Sequence, residues 1–162
     1  MKKILLIATL LIFCQGIVSA QKPQQVTEKE VNTKFVKDFH KQAPNAKDTQ
    51  WERINNDTFR VRFTNEDKER QALLYSNKGT ETLFYVDEQY YPSAIKDTLK
   101  ARYPKHSITE LAVRKVKTNM SYQANIAITK KSGILWWRKT EIIDPKTVNF
   151  DINGKFIDAV DD

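Results

Sequence analysis

Apolar positions along this chain follow two periods. Val31, Phe35 and Phe39 stand four residues apart, and Pro44 follows shortly after, which predicts a short amphipathic helix and its stop. Thr27 and Glu30 have the spacing of a capping box, so that helix is expected to start there. The stretch Tyr90–Pro104, YYPSAIKDTLKARYP, repeats the plan at an offset of 60, with Ile95 for Phe35, Leu99 for Phe39 and Pro104 for Pro44.

After the first helix the period changes to two. In Phe59-Arg60-Val61-Arg62-Phe63 apolar and basic residues alternate, which predicts a strand with its aromatics on one face and both arginines on the other. Trp51–Ile54 reads as the preceding strand, with Asn55-Asn56-Asp57 as the turn between them. Asn65–Arg70 is a charged turn, and Ala72–Tyr75 and Thr82–Val86 flank Asn77-Lys78-Gly79, whose glycine supplies the positive φ of a tight hairpin. The second half follows the same order. Tyr122, Ala124 and Ile126 match Phe59, Val61 and Phe63 at an offset of 63, while Val148, Phe150 and Gly154 match Leu73, Tyr75 and Gly79 at 75. The difference of 12 places an insertion around Lys130–Ile143.

This pattern predicts an α+β protein of two tandem repeats, each a helix packed on an antiparallel sheet of about four strands. Residues 21–89 hold a flexible leader and the first repeat, and residues 90–162 the second, with an enlarged Trp-rich strand region; both repeats belong to one compact domain.

Composition changes the picture at the chain start. Lys2 and Lys3 precede the apolar run Ile4–Phe13, and Val18-Ser19-Ala20 offers a cleavage site, so residues 1–20 read as a signal peptide. The run is shorter than a membrane span needs, and no later stretch approaches that length, so no transmembrane segment is expected after cleavage. The mature chain is expected to be exported, periplasmic or secreted. Cys14, the only cysteine, leaves with the signal, which excludes disulfides, thiolate metal sites and a cysteine nucleophile. Loss of Lys2 and Lys3 takes the formal charge from +7 to +5 (7 minus 2). Export argues against nucleic acid as the partner of this basic chain and favours anionic surfaces or an acidic protein.

The insertion contains Trp136 and Trp137. Successive strand residues face opposite ways, so the two cannot enter one core. Either each is buried, one on the helix side and one beneath the insertion, or one faces outward beside Arg138 as an interface anchor. Arg60 and Arg62 are expected to project together from the helix-free face, near Gln123, Asn125 and Arg138.

The signal segment, the helix ending near Pro44 with Trp51 after it, the alternation at Phe59–Phe63, the run YPSAIKDTLKARYP and the closing FDINGKFID resemble the exported PepSY-like family, also described as beta-lactamase-inhibitor-like. The resemblance spans nearly all of the mature chain. It implies tandem helix-on-sheet units whose sheets form one extended surface; in the beta-lactamase inhibitor such an aromatic-rich surface grips an enzyme, and PepSY modules are proposed to modulate peptidases. It carries over no catalytic residue. The chain departs from the pattern at Asn77-Lys78-Gly79, where an acidic hairpin turn is expected, and at the enlarged Trp136 region.

Catalytic and metal-binding constellations are not found in the sequence. His40 and His106 lack partners at ligand spacing on their own elements and read as solvated, so no metal and no cofactor is expected. Asn149-x-Asp151-x-Asn153-Gly154 imitates half of a calcium loop, but Val160 stands where the bidentate glutamate belongs, and the segment reads as a hairpin. Asp158–Asp162 reads as a solvated tail. The expected function is that of a non-enzymatic binding module, possible inhibitor or modulator of a peptidase or other envelope enzyme, whose partner is another envelope or secreted protein. Its binding residues are Trp136, Trp137 and Arg138, supported by Arg60 and Arg62. The alternative is a basic envelope adaptor on anionic membrane or polysaccharide.

Overall fold

The computed structural model describes residues 23–132 and 139–161 of the chain. The predicted signal peptide, Met1–Ala20, and Trp136, Trp137 and Arg138 lie outside the described residues.

Nine antiparallel strands pair in chain order into one sheet: β1 (Gln24–Val26), β2 (Lys47–Asn55), β3 (Thr58–Thr64), β4 (Arg70–Ser76), β5 (Gly79–Tyr85), β6 (His106–Val116), β7 (Asn119–Ser132), β8 (Lys139–Asp151) and β9 (Phe156–Asp161). The helices α1 (Thr33–Gln42) and α2 (Ser93–Arg102) lie in the connections before β2 and before β6. This overturns the expected two repeats, each a helix packed on its own antiparallel sheet of about four strands: one continuous nine-strand sheet carries two short helices. At β5 and β6, Leu83 pairs with Arg114 and Phe84 with Val113, so the hydrogen-bond ladder runs unbroken through the middle of the molecule. Hydrophobic alternation specifies which face of a strand is buried but not which edge finds a neighbour.

Both helices cover the same face. Under α1 the core holds Phe39, Trp51, Val61, Phe63, Leu73 and Tyr75, and Phe39 meets Trp51 and Phe63 edge-on at 5.5 and 5.4 Å between ring centres. Under α2 lie Ile95, Leu99, Leu111, Ala124, Val148 and Phe150, smaller and mostly aliphatic. The two helices occupy equivalent stretches 60 residues apart, Thr33 to Ser93 and Gln42 to Arg102.

Three local expectations are corrected. The Thr27–Glu30 box does not open α1: Glu30 accepts from the Thr27 amide at 2.8 Å and its hydroxyl at 2.9 Å around a single 3-10 turn. Asn32 caps α1 instead, its Oδ1 accepting from the Lys34 amide at 2.9 Å. The leader is not wholly free, since Gln24–Val26 pairs with Trp51–Arg53 as β1 and Val26 is buried. The acidic end is also no tail through Asp161: β9 pairs with β8, and Asn149 Nδ2 donates to Asp158 Oδ1 at 2.7 Å. Backbone pairing of this kind needs no apolar period, so the pattern did not reveal it.

The Asp151–Phe156 segment is the expected hairpin. Asp151 Oδ1 accepts from the amides of Asn153 at 2.9 Å and Lys155 at 2.8 Å, so the acid that resembles a calcium ligand is used to hold the turn. The inserted residues lengthen another hairpin. β7 and β8 have 14 and 13 residues where β3 and β4 have 7 each. Thr129–Ser132 pairs with Lys139–Ile142 past the last β6 partner, His106 opposite Ile128.

Candidate functional site

The helix-free face of the sheet is built by the strand alternation. In β3 the residues Phe59, Val61 and Phe63 are buried toward α1, which sends Arg60 and Arg62 to the opposite side as expected. Neither arginine is a loose surface charge. Arg60 Nε donates to Glu52 Oε2 at 2.6 Å, and both side chains are largely enclosed. Arg62 Nη1 donates to Glu110 Oε1 at 3.0 Å, while its Nε stands 3.5 Å from Glu52 Oε2 without completing a hydrogen bond.

The expected neighbour Asn125 joins the same group through Glu110. Its Nδ2 donates to Glu110 Oε2 at 3.2 Å, and Thr147 Oγ1 donates to Asn125 Oδ1 at 3.0 Å. A polar chain thus runs from β2 through β3 to β6, β7 and β8. On the same face Arg114 forms a two-pronged pair with Glu81, at 2.7 and 2.8 Å. A bidentate guanidinium–carboxylate pair fixes both planes, which makes it a more rigid feature than a single contact.

Arg62 reaches Glu110 by crossing β4 and β5. Adjacent strands lie about 4.8 Å apart, so both side chains have to lean along the sheet rather than stand away from it. The positions on this face beside the bridge are Ala72, Leu83 and Ala112, all buried, with Tyr85 packed against them. Small residues at Ala72 and Ala112 leave room for the bridge. Tyr85 stands between its two ends, 5.6 Å from Arg62 and 5.9 Å from Arg70 in cation–π geometry, and its buried hydroxyl has no hydrogen-bond partner. A small hollow of about 180 Å³ opens here between Gln50, Arg62, Arg70, Tyr85 and Glu110.

The electrostatics follow from this packing. Burial opposes the Arg62 charge, but Tyr85, Glu110 and Glu52 outweigh it and hold its pKa above the ordinary guanidinium value. Burial, with Glu110 second, pushes the Tyr85 phenol up against the opposing Arg62 and Arg60. The hydrogen bonding that Arg114 donates to Glu81 raises the Arg114 pKa, against the effect of burial. Arg62 and Arg114 therefore stay charged and Tyr85 stays neutral through the physiological range, so these three present fixed groups on the face.

Sequence reasoning placed Arg60 and Arg62 on this face but missed Glu52, Glu110, Glu81, Arg114 and Tyr85. Each does sit at an outward position of an alternating strand, so the signal was present in the parity of β2, β5 and β6; their convergence is a product of strand order. The histidines stay apart. His40 lies 3.3 Å from Glu28, and His106 is half-buried with Nδ1 2.5 Å from the Tyr103 carbonyl at the end of α2, a contact that corrects its expected solvation. Among the described residues no group of three histidine, cysteine, aspartate or glutamate side chains is placed to hold a metal, and no helix is long and apolar enough to cross a membrane.

No protein-family model matches this chain, and comparison with curated proteins and with solved structures finds no match either. The resemblance to the PepSY-like family therefore rests on the residues quoted for it.

Proposed function

We propose that this protein is an exported, non-catalytic binding module that engages another envelope or secreted protein through the helix-free face of its sheet, and that the partner is a peptidase or another envelope enzyme that it inhibits or modulates. One observation carries this reading: the Glu52–Arg62–Glu110 group holds a guanidinium, 34% exposed, in a fixed position on the face opposite both helices. Holding Arg62 in advance lowers the entropy cost of using it in an interface. Trp136, Trp137 and Arg138, in the insertion between β7 and β8, would add apolar anchors and a further donor to that contact.

The test is affinity capture from the host envelope, followed by direct binding of the captured protein to purified wild type and to two variants. One carries Arg62→Ala, and the other Trp136→Ala with Trp137→Ala; both are first shown to fold by circular dichroism. Loss of at least about tenfold in affinity in either variant supports a specific interface. Unchanged affinity in both removes this face and the tryptophans from the site. Binding that disappears in all three proteins at raised salt points to the basic adaptor instead.

A further inference from the structure

The opposite face of the sheet carries a second feature, independent of the first. Along the side of α1 that faces the middle of the molecule runs a groove over β4 and β5, formed by two hollows of about 440 and 630 Å³. The first is floored by Phe63, Leu73 and Thr82, and the second by Tyr75 and Thr80. Leu73 and Tyr75 are successive same-face residues of β4, as Thr82 and Thr80 are of β5, so the two hollows follow one another along the strands. Gln42 of α1 lines the first hollow and Asp38, one helical turn away, lines the second; Gln42 Nε2 donates to Asp38 Oδ2 at 2.6 Å.

The groove is charged in opposite senses at its ends. At one end Glu66 and Asp67 of the β3–β4 turn line it, with Asn45 donating to Glu66. At the other, Lys34, Lys37 and Lys41 line the wall, spaced along one side of α1, and none of the three is in an ion pair among the described residues. The floor of the second hollow includes the Tyr75 side chain, 1% exposed, whose pKa is raised first by burial and then by the charge of the neighbouring Asp38 and a hydrogen bond to it.

We infer that this groove binds an extended peptide segment, with a basic or amino-terminal end over Glu66 and Asp67 and an acidic or carboxy-terminal end beside Lys34, Lys37 and Lys41. Charge complementarity sets the direction. Length sets the size: β4 has 7 residues, and the part of it beneath the groove matches about five extended residues at roughly 3.4 Å each. Phe63 and Leu73 provide an apolar floor for one or two side chains.

The experiment titrates the purified protein with two pentapeptide pools and follows the amide NMR signals of Leu73, Tyr75, Thr80 and Thr82. One pool is Lys-X-X-X-Glu with free termini, and the other is Glu-X-X-X-Lys, acetylated and amidated. The first pool is expected to shift these signals with an affinity about tenfold above the second. Lys37→Glu with Lys41→Glu, and separately Glu66→Lys with Asp67→Lys, change exposed side chains only, and each is expected to weaken the first pool about fivefold or more. Combining the two pairs in one chain is expected to favour the reversed pool. Equal shifts from both pools, no shifts up to about 5 mM, or indifference to both charge reversals overturns the proposal. Arg62→Ala is expected to leave peptide binding unchanged, so failure here and failure of the sheet-face reading are separate results.

Discussion

Arg62 and Glu110 meet at 3.0 Å although 48 residues and two strands separate them, and their contact ties β3 to β6 across the middle of the sheet. Both side chains are partly exposed, 34% and 21%, so solvent screens the pair and its strength is modest. A double-mutant cycle with Arg62→Ala and Glu110→Ala is expected to give a coupling of about 1 kcal/mol. Arg62→Ala alone is expected to cost more than Glu110→Gln, since it leaves Glu52 and Glu110 together without their shared cation. Urea unfolding of the four proteins measures both; a coupling of zero would make the bridge incidental.

The two hairpin glycines differ in what surrounds them. Gly79 has φ +127° and nothing within 4 Å of the place a side chain would occupy, whereas Gly154 has φ +81° and a Cβ there would stand 3.1 Å from Ala94 Cβ and 3.4 Å from Ile95 Cγ1. Gly154→Ala therefore combines backbone strain with a clash against the start of α2, and is expected to cost roughly 2–3 kcal/mol. Gly79→Ala carries the strain alone, about 1 kcal/mol. Thermal unfolding of the two variants should rank them in that order.

In the core under α1, Phe39 is 1% exposed and touches Trp51 and Phe63. Phe39→Ala is expected to destabilise the fold by about 3–5 kcal/mol, and Leu99→Ala at the equivalent place in α2 by about 2–5 kcal/mol. Phe39→Ala should also alter Trp51 fluorescence in the folded state, while Leu99→Ala should leave it unchanged. A common spectral response would mean that the two cores are coupled more tightly than their separate residue clusters suggest.

Alkaline pH should unfold the protein through its phenols. Burial raises Tyr75, Tyr85 and Tyr91, with carboxylates adding to the effect: Asp38 at Tyr75, Glu110 at Tyr85 and Glu88 at Tyr91. A folded pKa above the unfolded one gives stability that is complete below the unfolded value, about 10, and is lost as pH rises through the folded value. Absorbance titration at 295 nm should show three of the six tyrosines ionising later in the native protein than in denaturant. Tyr75→Phe and Tyr85→Phe should each remove one late phenol; coincident native and denatured curves would contradict the packing around them.

The sequence by itself determined the two helices and the buried face of β3. Four-residue spacing at Phe35 and Phe39 and at Ile95 and Leu99, with a proline beyond each, located both helices, and alternation at Phe59–Phe63 settled which side of β3 enters the core. Asn153-Gly154 marked a hairpin correctly because turn chemistry is local. Such signals are legible because each depends on residues within a few positions of one another.

Tertiary structure alone decided the rest. It joined β5 to β6, so that one sheet of nine strands replaced the two expected, and it recruited Gln24–Val26 and Phe156–Asp161 to the edges by backbone pairing that side-chain pattern does not encode. It also chose the partners of the outward charges. Arg60 and Arg62 could be assigned a face from β3 alone, but Glu52, Glu110 and Tyr85 come from three other strands, and only strand order brings them within hydrogen-bond or ring-contact distance. Register fixes parity locally, whereas adjacency is a property of the whole chain.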